Sequence, residues 1–518
     1  MPLLRKQVDQ IENVGDSKQI NRFDGGLNDT ASNDLLQDNE SIVRQNWANT
    51  TTGALEKVNG FTKKNSTTLG AKPIRGLFRC YESDGTKKLL AMCNGGLYYS
   101  NNNGTAFTRE GNTTAYTEND FFTGVNYNDK FFFTGQNQNI HVYDPAADTS
   151  AAATDVPTDA CKILLKRSDR RLLALVNSSN GSTLYFSKID PTGAAADDWS
   201  ATNDAGSIAI DGAKSEPLTG GLTFGATDII FKDYAAFKVW GYPNPETVRM
   251  PGSPGCAAPY SCAQGDGLGF VLAHDGVWMW DGNRFIDITT NKISTIISNI
   301  SPTSVTQAFG VYRNNQYWLF YTESGQTKNK KCIIYDVNLS NPYSGVNVWF
   351  EREGLEMNCP VIFNGAGDDN EIYAGDSADT GFVYQLDFSA DGSDNGENIT
   401  AINQTKYIDF GYPHLVKRFV SIKIKYYLTV GTLTFDWLVD RGVRTGQYSG
   451  STAGGTALGS FVLNVDTLAG GNVAYHNEKL PDNCVGKDIS LKQTSNGTGE
   501  APRIEGIEIV WEALYEDS

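Results

Sequence analysis

The chain has 518 residues, 40% hydrophobic and 20% charged, with 53 Gly and 17 Pro, which excludes a disordered chain and requires at least one large buried core. Sixty acidic against 43 basic side chains leave a formal net charge of −17, which excludes a sequence-independent grip on nucleic acid, since that needs neutralised phosphates. Aromatics reach 11% while Met falls to 5, a balance that suits pleated, half-buried strands better than helices.

The first residues, Met1 to Gln7, run into polar sequence rather than an apolar stretch, so no secretory signal is expected. Next, Ser41 to Trp47, the turn Asn49 to Gly53, and Ala54 to Thr62 read as strand, turn and strand. From about residue 75 a repeat takes over, in which a strand ending on an aromatic is followed by an Asn, Asp, Gly or Pro turn. The markers are Tyr99, Tyr143, Phe186, Trp240, Trp280, Tyr335 and Tyr384, spaced 40 to 55 residues apart. Such a period, with room for four strands per unit, is the signature of a β-propeller, here of about seven blades within a range of six to eight. The first blade is drawn as Gly76 to Glu82, Lys88 to Cys93, Leu97 to Ser100 and Ala106 to Arg109; another shows strands at Gly269 to Ala273, Val277 to Trp280 and Arg284 to Ile288.

A propeller has an open seam unless its ends are paired. The sequence places Gly53 to Thr62 as an added outer strand of the last blade, with Lys406 to Phe410 as a short β segment after the ring. Beyond it, Phe419 to Val430 and Thr432 to Asp440 read as a long hairpin, Gly446 to Gly459 as a mobile loop, and Ser460 to Val465 and Ile504 to Leu514 as further strands. The organisation expected is therefore all-β: an N-terminal arm and ring-closing hairpin over 1–70, a propeller over 71–410, and a small antiparallel β-sandwich over 411–518, separate from the ring.

Chemical signatures are sparse. Cys80, Cys93, Cys161, Cys256, Cys262, Cys332, Cys359 and Cys484 show no C-x-x-C spacing, which suits free thiols in a reducing cytoplasm. His141, His274, His414 and His476 have no zinc-site spacing, and neither a Walker A run nor a G-x-S-x-G elbow occurs. No catalytic residue, metal or cofactor is assigned. Asp391 to Gly396 imitates the start of a calcium loop but has Ile402 where the closing Glu belongs. Ser100 to Phe107 is similar to the Asp-box turn of sialidase propellers, with Asn for Asp. The basic clusters Lys166, Arg167, Arg170, Arg171 and Lys328, Lys330, Lys331 fall at turns and read as solvated. The apolar runs Arg171 to Val176 and Tyr317 to Tyr321 are strand-length, too short to span a bilayer, so a soluble chain without membrane insertion is expected.

One stretch carries a family resemblance. Asn21-Arg22-Phe23-Asp24-Gly25-Gly26-Leu27-Asn28, then Leu36, Asp38-Asn39-Glu40, Asn46, Gly53-Ala54-Leu55-Glu56-Lys57 and Gly60-Phe61, resembles the N-terminal region of a family of tailed-phage virion proteins. Lys406 to Gly411 with Lys417 is similar to a "DFG…K" strand near the end of that family's propeller; Val58-Asn59 departs from its usual Arg-Pro. Members form the nozzle, or tail hub, of short-tailed phages and are also called packaged-DNA stabilisation proteins. The resemblance implies a structural, non-enzymatic virion protein made in the host cytoplasm. It implies a ring, usually a hexamer, docked below the portal and adaptor and beside tail fibres or spikes, retaining the genome and later conducting double-stranded DNA without binding it specifically. Six copies would carry roughly a hundred negative charges, which suits a bore to which DNA does not stick. The structural motif would comprise Gly25, Gly26, Leu27, Asn28, Asn39, Glu40, Trp47, Gly53, Leu55, Gly60, Asp409 and Gly411. Within it, Gly25 and Gly26 would form a turn closed to side chains, Trp47, Leu55 and Phe61 would bury the closing hairpin, and Asp409 and Gly411 would turn the chain into the sandwich. The competing reading is a phage adsorption protein whose propeller binds cell-surface glycans, with Trp278 and Trp280 stacking on sugar rings; a propeller hydrolase ranks behind it.

Overall fold

The computed structural model describes residues 15–111, 115–176, 181–192, 198–200, 203–212, 216–364, 371–389, 392–428, 432–451, 473–497 and 502–516. The regular structure of the described residues is almost all strand, with one five-residue α-helix, Ser294–Ser298.

Six free-standing four-stranded sheets form blades of a β-propeller. The first is Ile74–Tyr81, Lys87–Cys93, Gly96–Ser100 and Thr108–Arg109; the next four begin at Phe122, Cys161, Gly220 and Ala263; the last is Met357–Phe363, Glu371–Asp376, Val383–Ser389 and, from the N-terminal arm, Gly60–Lys63. Between the fifth and the last, a further four-strand unit, Phe309–Arg313, Gln316–Tyr321, Lys331–Asp336 and Trp349–Glu353, takes a place in the ring, but it belongs to a ten-stranded sheet. Its innermost strand lies between those of its neighbours, against Ala263–Gly265 on one side and Met357–Phe363 on the other.

All seven aromatic markers stand in the third strand of their unit. The second strands explain the apolar runs: Leu172–Val176, Gln316–Tyr321 and their counterparts are buried almost end to end, because neighbouring blades cover both faces of each sheet. Two-residue turns with left-handed backbone at Asn128-Asp129, Asp266-Gly267 and Asn314-Asn315 join first to second strands, matching the strands' own twist. The Asp-box-like segment forms its turn with Asn102, whose Oδ1 accepts from the Ala106 amide at 3.0 Å.

The ring is closed by the arm, over a shorter span than expected. Thr62 and Lys63 pair antiparallel with Gln385 and Tyr384 outside the third strand of the last blade, whereas Leu55–Lys57 turns away into the sandwich.

The sandwich departs most from the reading along the chain. It is not a separate C-terminal unit: one of its sheets is the ten-stranded one, in which Glu40–Gln45 meets the propeller strand Trp349–Glu353 at Gln45 and Glu351, then continues through Ala401–Thr405, Ile489–Ser495, Thr432–Val439 and Arg444–Ser451. The facing sheet combines Gly15–Ile20, Trp47–Asn49 and Leu55–Lys57 with Arg503–Glu516, Leu415–Tyr427, Val473–Lys479 and Val485–Gly486. Leu415–Tyr427 and Thr432–Val439 therefore form no hairpin. They lie in opposite sheets, with Phe419, Ile422, Ile424 and Tyr426 sharing one core with Leu433, Phe435, Trp437 and Val439. Alternation places one apolar face on each strand and is blind to which sheet the strand joins. Arg444–Ser451 is strand rather than loop; the segment expected at Ser460 to Val465 lies outside the described residues. Lys406 to Phe410 is reduced to one bridge, Ile408 to Ile489, and the left-handed backbone of Phe410 ends the segment.

Candidate functional site

Of the motif residues, Gly25 to Asn28, Asn39 and Glu40 come together where propeller meets sandwich, while Trp47, Leu55, Gly60, Asp409 and Gly411 lie elsewhere along the arm and the ring exit. Gly26–Leu27 runs parallel to Glu40–Ser41 as a short added strand. Gly26 has φ +77°, and a Cβ there would stand 2.8 Å from the Trp349 amide nitrogen, so the chain crosses the propeller strand backbone to backbone. The Gly25 amide donates to the Asn39 carbonyl at 3.1 Å. Leu27 then enters the propeller core beside Trp349, Tyr317, Tyr321 and Phe270. Asn28 ties the strand down: its amide donates to Ser41 O at 2.9 Å, its Oδ1 accepts from the Ala31 amide at 3.0 Å, and its Nδ2 donates to Glu40 Oε1 at 3.2 Å. Asn39 Nδ2 donates to Asp24 Oδ1 at 2.8 Å.

Glu40 is buried and fully engaged: Oε2 accepts from the Gln37 amide at 2.7 Å and Oε1 pairs with Lys292 from the propeller. A carboxylate so enclosed is a clamp between two parts of the chain rather than a free acid. Four residues on, Arg44 is also wholly buried, with neutral partners: Nη1 donates to Asn49 Oδ1 at 2.6 Å and Nη2 to Ser41 Oγ at 3.0 Å. Burial pushes its guanidinium down to about 9, against the pull of Asp24 and Glu40. Asn403, beside it, accepts from Ser41 Oγ at 2.7 Å and donates to Gln493 Oε1 at 2.6 Å, joining three strands of the sandwich sheet. Asn46, with φ 56°, carries the line across the junction: Oδ1 accepts from the Glu353 amide at 2.9 Å and Nδ2 donates to Thr400 O at 2.8 Å.

Further along the arm, Trp47 and Leu55 are fully buried, but in the sandwich core with Phe23, Ile504 and Ile507, not against the last blade. The strand that does close the ring contributes the half-buried Phe61, edge-on to Tyr384 at 5.2 Å. Lys57 Nζ donates to Gly497 O at 2.8 Å, and burial lowers its amine to about 8. The Gly53 carbonyl accepts from the Phe23 amide at 2.8 Å, closing the loop between them. Gly60 lies against Ser393 so closely that any Cβ would occupy the position of the Ser393 carbonyl oxygen. Next to Ser393, Asp394 pairs with Arg352 of the propeller, so the calcium-loop lookalike supplies an ion pair; its Asp391 lies outside the described residues.

At the exit from the ring, Asp409 Oδ1 accepts from the Gly411 amide at 2.9 Å and Asp409 O from the Tyr412 amide at 3.0 Å, a tight turn with Gly411 at φ +81°. Lys417 locks it, donating to the carbonyls of Tyr412, Leu415 and Lys487 at 2.6, 3.0 and 2.8 Å; burial lowers its amine to about 8. The junction leaves a cleft of about 760 Å3 lined by Gly25, Asn28, Asn39, Glu40, Lys292 and Val346 among others.

Sequence reasoning missed Arg44, Lys292, Arg352 and Asn403 as members of this junction. Arg44 had a signal: a cation inside the strand Ser41 to Trp47. The basic clusters also need correction. Arg167 and Arg171 are buried: Arg167 Nε pairs with Asp228 at 2.8 Å, and Arg171 Nη1 donates to Ser187 O and Asp204 O, both at 2.7 Å. Lys331 pairs with Glu351 at 3.2 Å and with Glu353. Trp280 is core, and Trp278 is half-buried with Nε1 donating to Asp275 at 2.9 Å, so the pair forms no aromatic platform. Among the described residues no group of three or more His, Cys, Asp or Glu is placed to hold a metal ion.

No family model matches this chain, and no curated protein matches it. Among solved structures, the chain is similar to the computationally designed Ika8 protein at 11% identity and TM-score 0.37, over 63% of this chain and 99% of that one. It is also similar to YCF48 bound to D1 peptide, at 8% identity and TM-score 0.40 over 64% and 97%, and to YCF48 from Cyanidioschyzon merolae, at 8% and 0.40 over 63% and 98%. The propeller itself is defined by the strand pairing described above.

Proposed function

We propose that the protein is a structural component of a phage tail that assembles into a ring below the portal and adaptor, retains packaged DNA and conducts it during ejection. The observation that carries this reading is the seating of Gly26 to Asn28 and Glu40 between propeller and sandwich, where Gly26 lies against the Trp349 backbone and Glu40 pairs with Lys292. A part that must hold against a pressurised genome needs its modules fixed by buried clamps rather than by a hinge. The centre of the single propeller is filled by Phe121, Tyr260 and Phe309, whose rings lie 5.0 to 5.5 Å apart, so the conduit in this reading lies between copies. The acidic balance suits such a bore, since like-charge repulsion keeps DNA from adhering.

Mass photometry and negative-stain imaging of the purified protein test the assembly, with closed rings of about six copies and a central opening as the expected result. A phage lacking the protein is expected to fill its heads and then lose the DNA. A chain that stays monomeric at every concentration, or mutant heads that keep their genome and fail only at cell attachment, would overturn the reading.

A further inference from the structure

Beside the aromatic plug, the propeller axis holds a space that the tail reading does not use. Phe121 comes from the side of the ring opposite the adjacent units that carry Tyr260 and Phe309, so its contacts with them form across the axis, and the three rings plug it there; the Arg75 guanidinium covers Phe121 at 4.6 Å. Past the plug lies a space of about 280 Å3 whose lining includes the apolar side chains of Leu77, Phe122, Ile163, Leu165 and Val361 together with Thr123. It shares Phe78, Gly124 and Val361 with a second space of about 460 Å3 that Arg79, Tyr81, Asn126 and Lys166 border. Sharing those residues, the two adjoin as one funnel, the first space against Tyr260 and Phe309 of the plug and the second bordered by the two cations, within the size range of ligand sites.

Neither cation at the mouth is paired with a carboxylate, although Lys166 Nζ donates to the Asn126 carbonyl at 3.4 Å. In a chain with more acids than bases, nearby Lys88, Lys130 and Arg167 all pair with carboxylates, Lys88 with Asp148 at 2.5 Å and Arg167 with Asp228 at 2.8 Å. Arg79 and Lys166 are exposed, and neither has a carboxylate within 4.0 Å among the described residues. Arg79 lies over the Tyr81 ring at 5.8 Å and Lys166 over Tyr127 at 5.2 Å. Arginine offers a planar fork matched to a carboxylate, and lysine a mobile point charge beside it.

We propose that this funnel binds an amphipathic carboxylate, its apolar part seated in the axial cavity and its anionic end held between Arg79 and Lys166. Burial of the apolar part supplies the affinity and the cations set the orientation. That chemistry has two sources, a free aliphatic acid or the C-terminus of a polypeptide ending in an apolar side chain.

The test is calorimetric titration of the intact protein with decanoate, decanol and acetate, and with a short peptide ending in leucine as free acid or as amide. Decanoate is expected to bind one per chain, about tenfold or more tighter than decanol, with acetate silent. Arg79→Gln and Lys166→Gln should each weaken decanoate several-fold and leave decanol unchanged; both side chains are exposed, so unchanged melting confirms folding. Val361→Trp, which fills the cavity wall, should weaken decanoate and decanol together. A free-acid peptide that outcompetes decanoate, with its amide inert, identifies a polypeptide end as the source; the reverse order identifies a free acid. Decanoate that fails to bind, binds in many copies, or binds equally well in the two glutamine variants overturns the proposal.

Discussion

Replacing Leu27 with alanine tests whether the N-terminal motif is part of the propeller or merely lies on it. Leu27 is 3% exposed and sits in the cluster with Trp349, Tyr317 and Phe270, so Leu27→Ala removes a buried side chain from a core that cannot collapse freely around Gly26, already in backbone contact with Trp349. Leucine truncations of this kind cost about 2–5 kcal/mol. Leu35, eight residues on and 73% exposed, provides the same chemical change on the surface, where the cost should stay within about 0.5 kcal/mol. A chain of this size need not unfold in one step, so the suitable measurement is hydrogen exchange read by peptide. Amides of Gln316–Tyr321 and Trp349–Glu353 should open more readily by roughly thirtyfold or more, since each 1.4 kcal/mol is a factor of ten, while blades on the far side change less. If Leu27→Ala exchanges within about twofold of wild type, or no faster than Leu35→Ala, the motif is not an integral part of the propeller core and the reasoning fails.

Gly60→Ala should push the closing strand off Ser393 and loosen the seam of the ring; faster exchange of the Val383–Ser389 amides is the expected sign, and unchanged protection there would show that the close approach bears no strain. Alkaline pH should destabilise the fold through its thiols. Burial raises Cys80, Cys93 and Cys161 to about 12 from an ordinary value of 9, so the unfolded chain releases protons that the folded one keeps, and stability present below pH 9 is lost as the pH climbs towards 12. Urea midpoints at pH 7, 9 and 10.5 check this, and replacing the three thiols with alanine should flatten the slope between the last two.

Some of this molecule was legible in order along the chain because the signals are local. The seven aromatics mark third strands, since each stands in the same strand of its unit. The buried second strands betray themselves as unbroken apolar runs such as Leu172–Val176, where a one-sided sheet would alternate. What failed was the pairing of strands outside the blades. Leu415–Tyr427 and Thr432–Val439 alternate as a hairpin would, yet face each other across a core, and Glu40–Gln45 finds partners more than three hundred residues away in Ala401–Thr405 and Trp349–Glu353.

By itself, then, the amino-acid order determined the strand class, the repeat and the sites of the turns, because periodicity and backbone sterics act over a few residues. Only the folded chain decided that Arg44 and Glu40 are buried clamps, that Arg167 is core while Lys166 is exposed, and that Phe121, Tyr260 and Phe309 meet on the axis. Those outcomes depend on residues brought together from distant segments, where desolvation and partner geometry, rather than residue type, fix what a charge or a ring does.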